Sequence, residues 1–246
     1  MNLIKQHHGR AGFVAGCLAV SAISFAALCG CESPKTPASK SGDMKVVRQP
    51  SLKQGRMPFK EGESVRLPFY VMNNSVVPPP RNFALSGFMG DIADVIAVGG
   101  YSNMLYEGRP ALKVKYAPQG SLGWAGAVWQ NPANSWGAFD GGYNLGPANA
   151  LTFWARGDKG GEIVTFSCGG TAGTYPDSDS LSTGPVKLSN EWMQYVLDIS
   201  GNDMRYISTG FGFTLSREMN PDGCIFYLDD IRYEQGAVDQ AKGDGR

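Results

Sequence analysis

Apolar and polar positions alternate with a period of two along much of the chain. Residues 111–116 set Leu112, Val114 and Tyr116 against Lys113 and Lys115, the mark of a strand with one face buried. Residues 151–156, 163–168 and 193–199 repeat the pattern, as do 210–215, where Phe211, Phe213 and Leu215 fall in register. A long closing run covers 224–233, and 65–71 and 92–98 predict two further strands near the start. Turn signals separate these runs, among them Gly99-Gly100, Gly141-Gly142, Gly160-Gly161 and Asn220-Pro221-Asp222-Gly223. No apolar pattern with a 3.6-residue period persists for three turns. Many short strands punctuated by turns predict an all-β sandwich or barrel.

The two ends of the chain read differently. Lys5 and Arg10 precede an apolar run over residues 11–28, which meets Leu28-Cys29-Gly30-Cys31. Positive start, apolar core and small residue at the cut is the order of a secretory signal. The ending resembles a bacterial lipobox, and that resemblance implies cleavage before Cys31 and acyl chains on it. The competing reading is a membrane-spanning helix, because the run is about as long as the shortest spans. The abrupt Gly-Cys ending, followed by Ser, Pro and Lys, favours the lipoprotein. Residues 1–30 are therefore expected to be a signal peptide, and the localisation the bacterial cell envelope. Residues 31–64, rich in Ser, Pro, Lys and Gly, bury too little apolar area to offset their ordering entropy and are expected to be a flexible tether. Residues 65–235 form one domain large enough for a real core, and 236–246 a short disordered tail.

Processing changes the chemistry available. His7 and His8 are removed, so the mature chain has no histidine. Lys5 and Arg10 are the only charged residues lost of 22 basic and 22 acidic ones, leaving a net charge near −2. A balance of this kind lacks the concentrated basic face that nucleic acids require. Ser-His-Asp and Cys-His machinery and histidine-ligated zinc are excluded. A carboxylate pair of the glycosidase type is the remaining enzymatic option. Asp140, Glu162, Asp198, Asp229, Asp230 and Glu107 are available for it, with no spacing that singles out two. The expectation is a protein that is not an enzyme.

Several segments carry a family resemblance: Gly123-Trp-Ala-Gly-Ala-Val-Trp129, Asn131-Pro-Ala-Asn134, Trp136-Gly137, Leu151-Thr-Phe-Trp-Ala-Arg-Gly157, Glu191-Trp-Met-Gln-Tyr-Val-Leu-Asp-Ile199 and Tyr227-Leu-Asp-Asp-Ile231. Together they resemble the galactose-binding-like jelly rolls of bacterial carbohydrate-binding modules over about 65–235. The resemblance implies an antiparallel two-sheet jelly-roll β-sandwich, often with a structural calcium and sometimes with a glycan site. It also implies Asp229 as a calcium ligand, with Asp91 as a second acid. The alternative for each is a hydrogen-bonded structural carboxylate, since a buried carboxylate must be paired or bound to metal.

Trp124, Trp129 and Trp136 form the candidate carbohydrate site. Sugar rings present apolar CH faces to exposed aromatics, and Gln130, Asn131 and Asn134 stand beside them to serve hydroxyls. Trp124 and Trp129 are five apart, so in one unbroken strand they face opposite sides, unless Gly126 marks a bulge. The competing role for each is core packing. Cys168 and Cys224 are the remaining thiols, either a disulfide in an oxidising compartment or small buried hydrophobes. The function expected is non-catalytic binding of a polysaccharide or envelope glycan, with a structural or protein-docking module as the alternative. A binding module exposes its aromatics; a docking module buries them and exposes an apolar patch.

Overall fold

The structure, a computed structural model, describes residues 45–47, 60–73 and 81–238. The signal peptide, Cys31, most of the expected tether and all but the first residues of the expected tail lie outside the described residues.

The described chain is a two-sheet, almost wholly antiparallel β-sandwich of the jelly-roll class. Its strands are β1 (Lys45–Val47), β2 (Glu63–Ser64), β3 (Phe69–Met72), β4 (Ala84–Gly90), β5 (Val95–Tyr106), β6 (Arg109–Tyr116), β7 (Trp124–Gln130), β8 (Tyr143–Asn144), β9 (Ala150–Gly157), β10 (Ile163–Gly169), β11 (Ser180–Lys187), β12 (Met193–Asp198), β13 (Thr209–Ser216) and β14 (Cys224–Glu234). One sheet has seven strands in the order β1-β12-β9-β14-β6-β5, with β3 also on β14; the other has five, β11-β10-β13-β7-β4. A minor pair, β2 with β8, runs parallel, as does β1 with β12.

The sheets meet through aromatic side chains sent inward by alternate residues of each strand. Phe153 and Tyr195 of the seven-stranded sheet pack on Phe166 and Phe211 of the five-stranded sheet, with Phe153–Phe166 ring centroids 4.6 Å and Phe153–Phe211 centroids 5.1 Å apart. Phe213 meets Phe226 edge to face at 5.3 Å. These rings are completely buried, and removing one such ring costs about 3–5 kcal/mol.

Several boundaries differ from the sequence expectation, each for a local reason. Strand 65–71 begins only at Phe69, because Pro68 has no N–H for the ladder. Strand 92–98 begins at Val95: the buried Asp94 carboxylate accepts the N–H groups of Gln119 and Gly120, and residues Ile92–Asp94 turn into a 3-10 helix to reach them. Glu63–Ser64 and Lys45–Val47 pair as strands inside the stretch expected to be tether. At the other end, Ala237 and Val238 are buried against Ala150 and Val196, so the packed chain runs past residue 235.

Of the two roles open to the cysteine pair, the disulfide is not formed. Cys168 and Cys224 are both free, on strands of different sheets, and Cys168 is completely buried in the core. Burial pushes both thiols up to about 12, which suits small apolar packing groups.

Candidate functional site

Register decides which tryptophan meets solvent. On β7, Ala125, Ala127 and Trp129 point to the core, while Trp124, Gly126 and Val128 point away. Trp129 is 3% exposed and packs edge-on against Phe211 at 5.5 Å. It is therefore a core residue and is removed from the candidate carbohydrate site: a ring shut inside the sandwich cannot stack on a ligand. Trp124 is 39% exposed on the opposite side of the same strand, as a spacing of five requires. Gly126 makes no bulge. It stands in register with Thr214 and Met89, and a Cβ there would come within 2.5 Å of the Phe213 carbonyl.

Trp136 comes from the loop after β7, yet it returns to the same face. Loop 131–142 is held by hydrogen bonds at many points. Asn131 donates its backbone N–H to Ser208 O and its side-chain amide to Gly141 O, and Tyr175 donates to Gly137 O. Tyr206 donates its hydroxyl to Asp140, which also pairs with Lys60; these two partners hold the Asp140 carboxyl below its usual range. Gly137, at φ +76°, lies so close to Ala172 that a Cβ would stand 1.9 Å from its carbonyl oxygen, so only glycine lets the loop dock here. The result is Trp136 at 40% exposure with its six-membered ring over Gly87 of β4. Gly87 is in register with Val128, and Val128 lies four residues beyond Trp124. The two exposed indoles are thus separated by about 13 Å along β7 on one face.

Between and beside them the floor is built of small side chains. Gly126, Thr214, Thr165 and Pro185 form one cross-strand row, and Val128, Gly212, Ser167 and Ser182 the next. At the Trp124 end a cleft of about 270 Å³ is lined by Trp124, Ile163, Thr165, Pro185, Thr214 and Met219, among others. Phe139, in the same loop as Trp136, is 67% exposed. Met219 and the Thr/Ser/Gly floor were not legible as site residues in the sequence. The alternation of β13 and β10 carried a signal for the floor; nothing in the chain marked Met219 as its neighbour. Of the polar residues expected beside the tryptophans, Gln130 is buried and Asn131 is committed to closing its loop. Asn134 does reach the exposed face, where it accepts the Trp136 indole N–H at 2.8 Å.

The expected calcium pair does not converge. Asp91 accepts the backbone N–H groups of Leu122 and Gly123, beyond the end of β6. Asp229 is buried in the middle of β14, where it accepts the N–H of Asp230. Tyr116, the last residue of β6, is opposite Cys224, and Asp229 lies five residues away from that point in the other direction, about 17 Å along the strand. Calcium draws its oxygens to 2.3–2.6 Å, so Asp91 and Asp229 do not fit one ion. Among the described residues there is no group of three or more His, Cys, Asp or Glu side chains that could hold a metal.

No family model and no curated protein matches the chain. Solved structures of carbohydrate-binding modules do resemble it. A family 30 module has 16% identity and a TM-score of 0.48, covering 70% of this chain and 100% of that one. The family 30 module of a Clostridium thermocellum cellulosomal cellulase has 17% identity over 62% of this chain and 92% of its own, with a TM-score of 0.43. A family 11 module from Clostridium thermocellum, in complex with a β-1,3-1,4-mixed-linked tetrasaccharide, has 14% identity, coverages of 64% and 91%, and a TM-score of 0.39. Likeness at this level adds nothing to what the strand order already establishes.

Proposed function

We propose that the chain is an exported, non-catalytic lipoprotein of a bacterial cell envelope, anchored through Cys31, whose sandwich binds a polysaccharide on the outer face of the five-stranded sheet. One observation carries the binding: Trp124 and Trp136 are both half-exposed on that face, flanking a floor of glycine, serine and threonine. Two indoles offer stacking planes to the CH faces of sugar rings. The small residues between them let a ring approach the sheet, and Thr165, Thr214 and Ser216 line the cleft at the Trp124 end. The floor carries no charge, which suits a neutral glycan.

The test is affinity electrophoresis of the purified protein through soluble neutral polysaccharides, with mixed-linkage β-glucan, hydroxyethylcellulose and β-1,4-galactan as the panel. Retardation by at least one polymer is expected, reduced but still measurable in Trp124→Ala and in Trp136→Ala, at an unchanged melting temperature. If no polymer retards the wild type, or if both variants migrate as it does, the glycan reading is wrong. Anchoring is tested separately: fatty-acid labelling that persists in Cys31→Ser would remove the lipoprotein.

A second reading, a protein-docking module, has its own observation. Ile92, Ile96, Val98 and Leu122 are exposed in and beside β5, at the edge of the seven-stranded sheet, and apolar side chains grouped on a surface often mark a partner site. Substitution of Ile96 and Val98 by serine leaves glycan binding intact under the first reading.

A further inference from the structure

We propose that Asn134 and Gly87 are positioning residues that aim Trp136 at the ligand, an inference that rests on the glycan reading above. An indole on an exposed loop is free to choose among rotamers, and a stacking platform must hold one orientation before the ligand arrives. Three constraints hold this one. The Trp136 indole N–H donates to Asn134 Oδ1 at 2.8 Å. The backbone N–H of Asn134 donates at 2.8 Å to the Oγ of Ser86, the residue next to Gly87 on β4. Beneath the ring, Gly87 leaves a seat with no spare room: a Cβ there would stand 2.8 Å from Cζ2 and 3.0 Å from Cη2 of Trp136, and 2.5 Å from Cγ2 of Val128.

The backbone points the same way. Asn134 and Trp136 hold φ of +54° and +50°. Asparagine tolerates this left-handed region better than most side chains, whereas a bulky residue there is an outlier that persists only when its surroundings impose it. Asn134 thus serves twice, taking the conformation that turns the chain back over β4 and capping the indole once it arrives. Neither residue belongs to the buried apolar core. Asn134→Gly keeps access to the left-handed conformation and removes the acceptor; Asn134→Asp keeps both.

A double-mutant cycle on the full chain tests this, using whichever polymer of the panel binds most tightly. One hydrogen bond and one seat each translate into a dissociation constant weakened about tenfold in Asn134→Gly and in Gly87→Ala, with Asn134→Asp restoring wild-type affinity. In a Trp136→Ala background neither substitution should weaken binding further, because the residue they act through is gone. A weakening of the same size in that background overturns the proposal, as does wild-type affinity in both single variants. A ligand-free measurement separates this failure from that of the glycan reading. Hydrogen exchange of the Trp136 indole proton, identified by its absence from the Trp136→Ala spectrum, should quicken in Asn134→Gly and recover in Asn134→Asp. If no polymer binds the wild type, the glycan reading falls on its own. If indole exchange is also unchanged in Asn134→Gly, the positioning falls with it.

Discussion

The outer faces of the two sheets both carry aromatic residues, and they use them in opposite ways. On the seven-stranded sheet, Trp154 points outward from β9 and is covered by the β5–β6 hairpin. Tyr106 lies over it with centroids 4.9 Å apart and meets Trp192 edge to face at 5.3 Å, while the Trp192 indole donates to Leu105 O. Rings there satisfy one another, and burial raises the Tyr106 hydroxyl well above its ordinary pKa. On the five-stranded sheet, Trp124 and Trp136 stand over Gly, Ser and Thr with no aromatic ring against either among the described residues. The same residue types are packed into the fold on one face and left open on the other. What separates them is whether a hairpin lies on top.

Core truncation is the sharpest way to break this contrast. Trp129→Ala is expected to lose about 3–5 kcal/mol in urea unfolding, while Trp124→Ala and Trp136→Ala change stability by less than about 1 kcal/mol. Equal losses at Trp124 and Trp129 would make the exposed indole structural. Next, Tyr106→Ala or Trp154→Ala should cost about 1–3 kcal/mol through lost area and ring contact, with migration through polysaccharide unaltered. A binding loss in a stably folded Trp154→Ala would transfer the site to the other sheet.

A smaller effect is expected from Asp177, which ties residues 171–179 to the start of β13. Its carboxylate is buried and accepts from the backbone N–H groups of Thr171 and Ser208 and from the Ser208 hydroxyl. Desolvation outweighs these bonds and raises its pKa. The folded chain then holds this proton more tightly than the unfolded chain does, so stability falls as pH rises from the ordinary aspartate value through the raised one. Urea midpoints across the acid range should show that fall steeper in the wild type than in Asp177→Asn. Identical pH slopes would remove the effect. The mildest test concerns the thiols: at pH 8 in native buffer, Cys168 and Cys224 should resist iodoacetamide and react fully only after unfolding, because thiols raised to about 12 hold almost no thiolate. Rapid native labelling of Cys168 would mean that the core opens there.

Much of the fold was legible in the chain because period-two alternation is a local property. β6, β9, β10, β12, β13 and β14 lie where Leu112, Phe153, Phe166, Tyr195, Phe213 and Phe226 recur with other apolar residues at every second position. β4 and β11 were not legible. Ala84–Gly90 and Ser180–Lys187 mix glycine, serine and proline without a clean period, and they become strands because β7 and β10 supply ladders to pair with. β1 and β2 are the extreme case, three and two residues whose extension is defined by a partner distant in sequence.

The site divides along the same line. That Trp124 and Trp129 oppose one another follows from five residues of pleated strand and needs no structure. Which of them meets water does not, because the sequence of β7 is apolar on both faces; the aromatic layer of Phe211 and Phe213 claims Trp129 and leaves Trp124 outside. The sequence likewise set Trp136 close to Asn134, yet its place over Gly87 depends on Ser86, 48 residues before the Asn134 it binds. The parting of Cys168 from Cys224, and of Asp91 from Asp229, has the same origin. Alternation, turns and charge are properties of neighbours in the chain and were there to be read. Which faces are covered, and which residues meet across a sheet, depend on contacts between distant segments, and only the packed sandwich decides them.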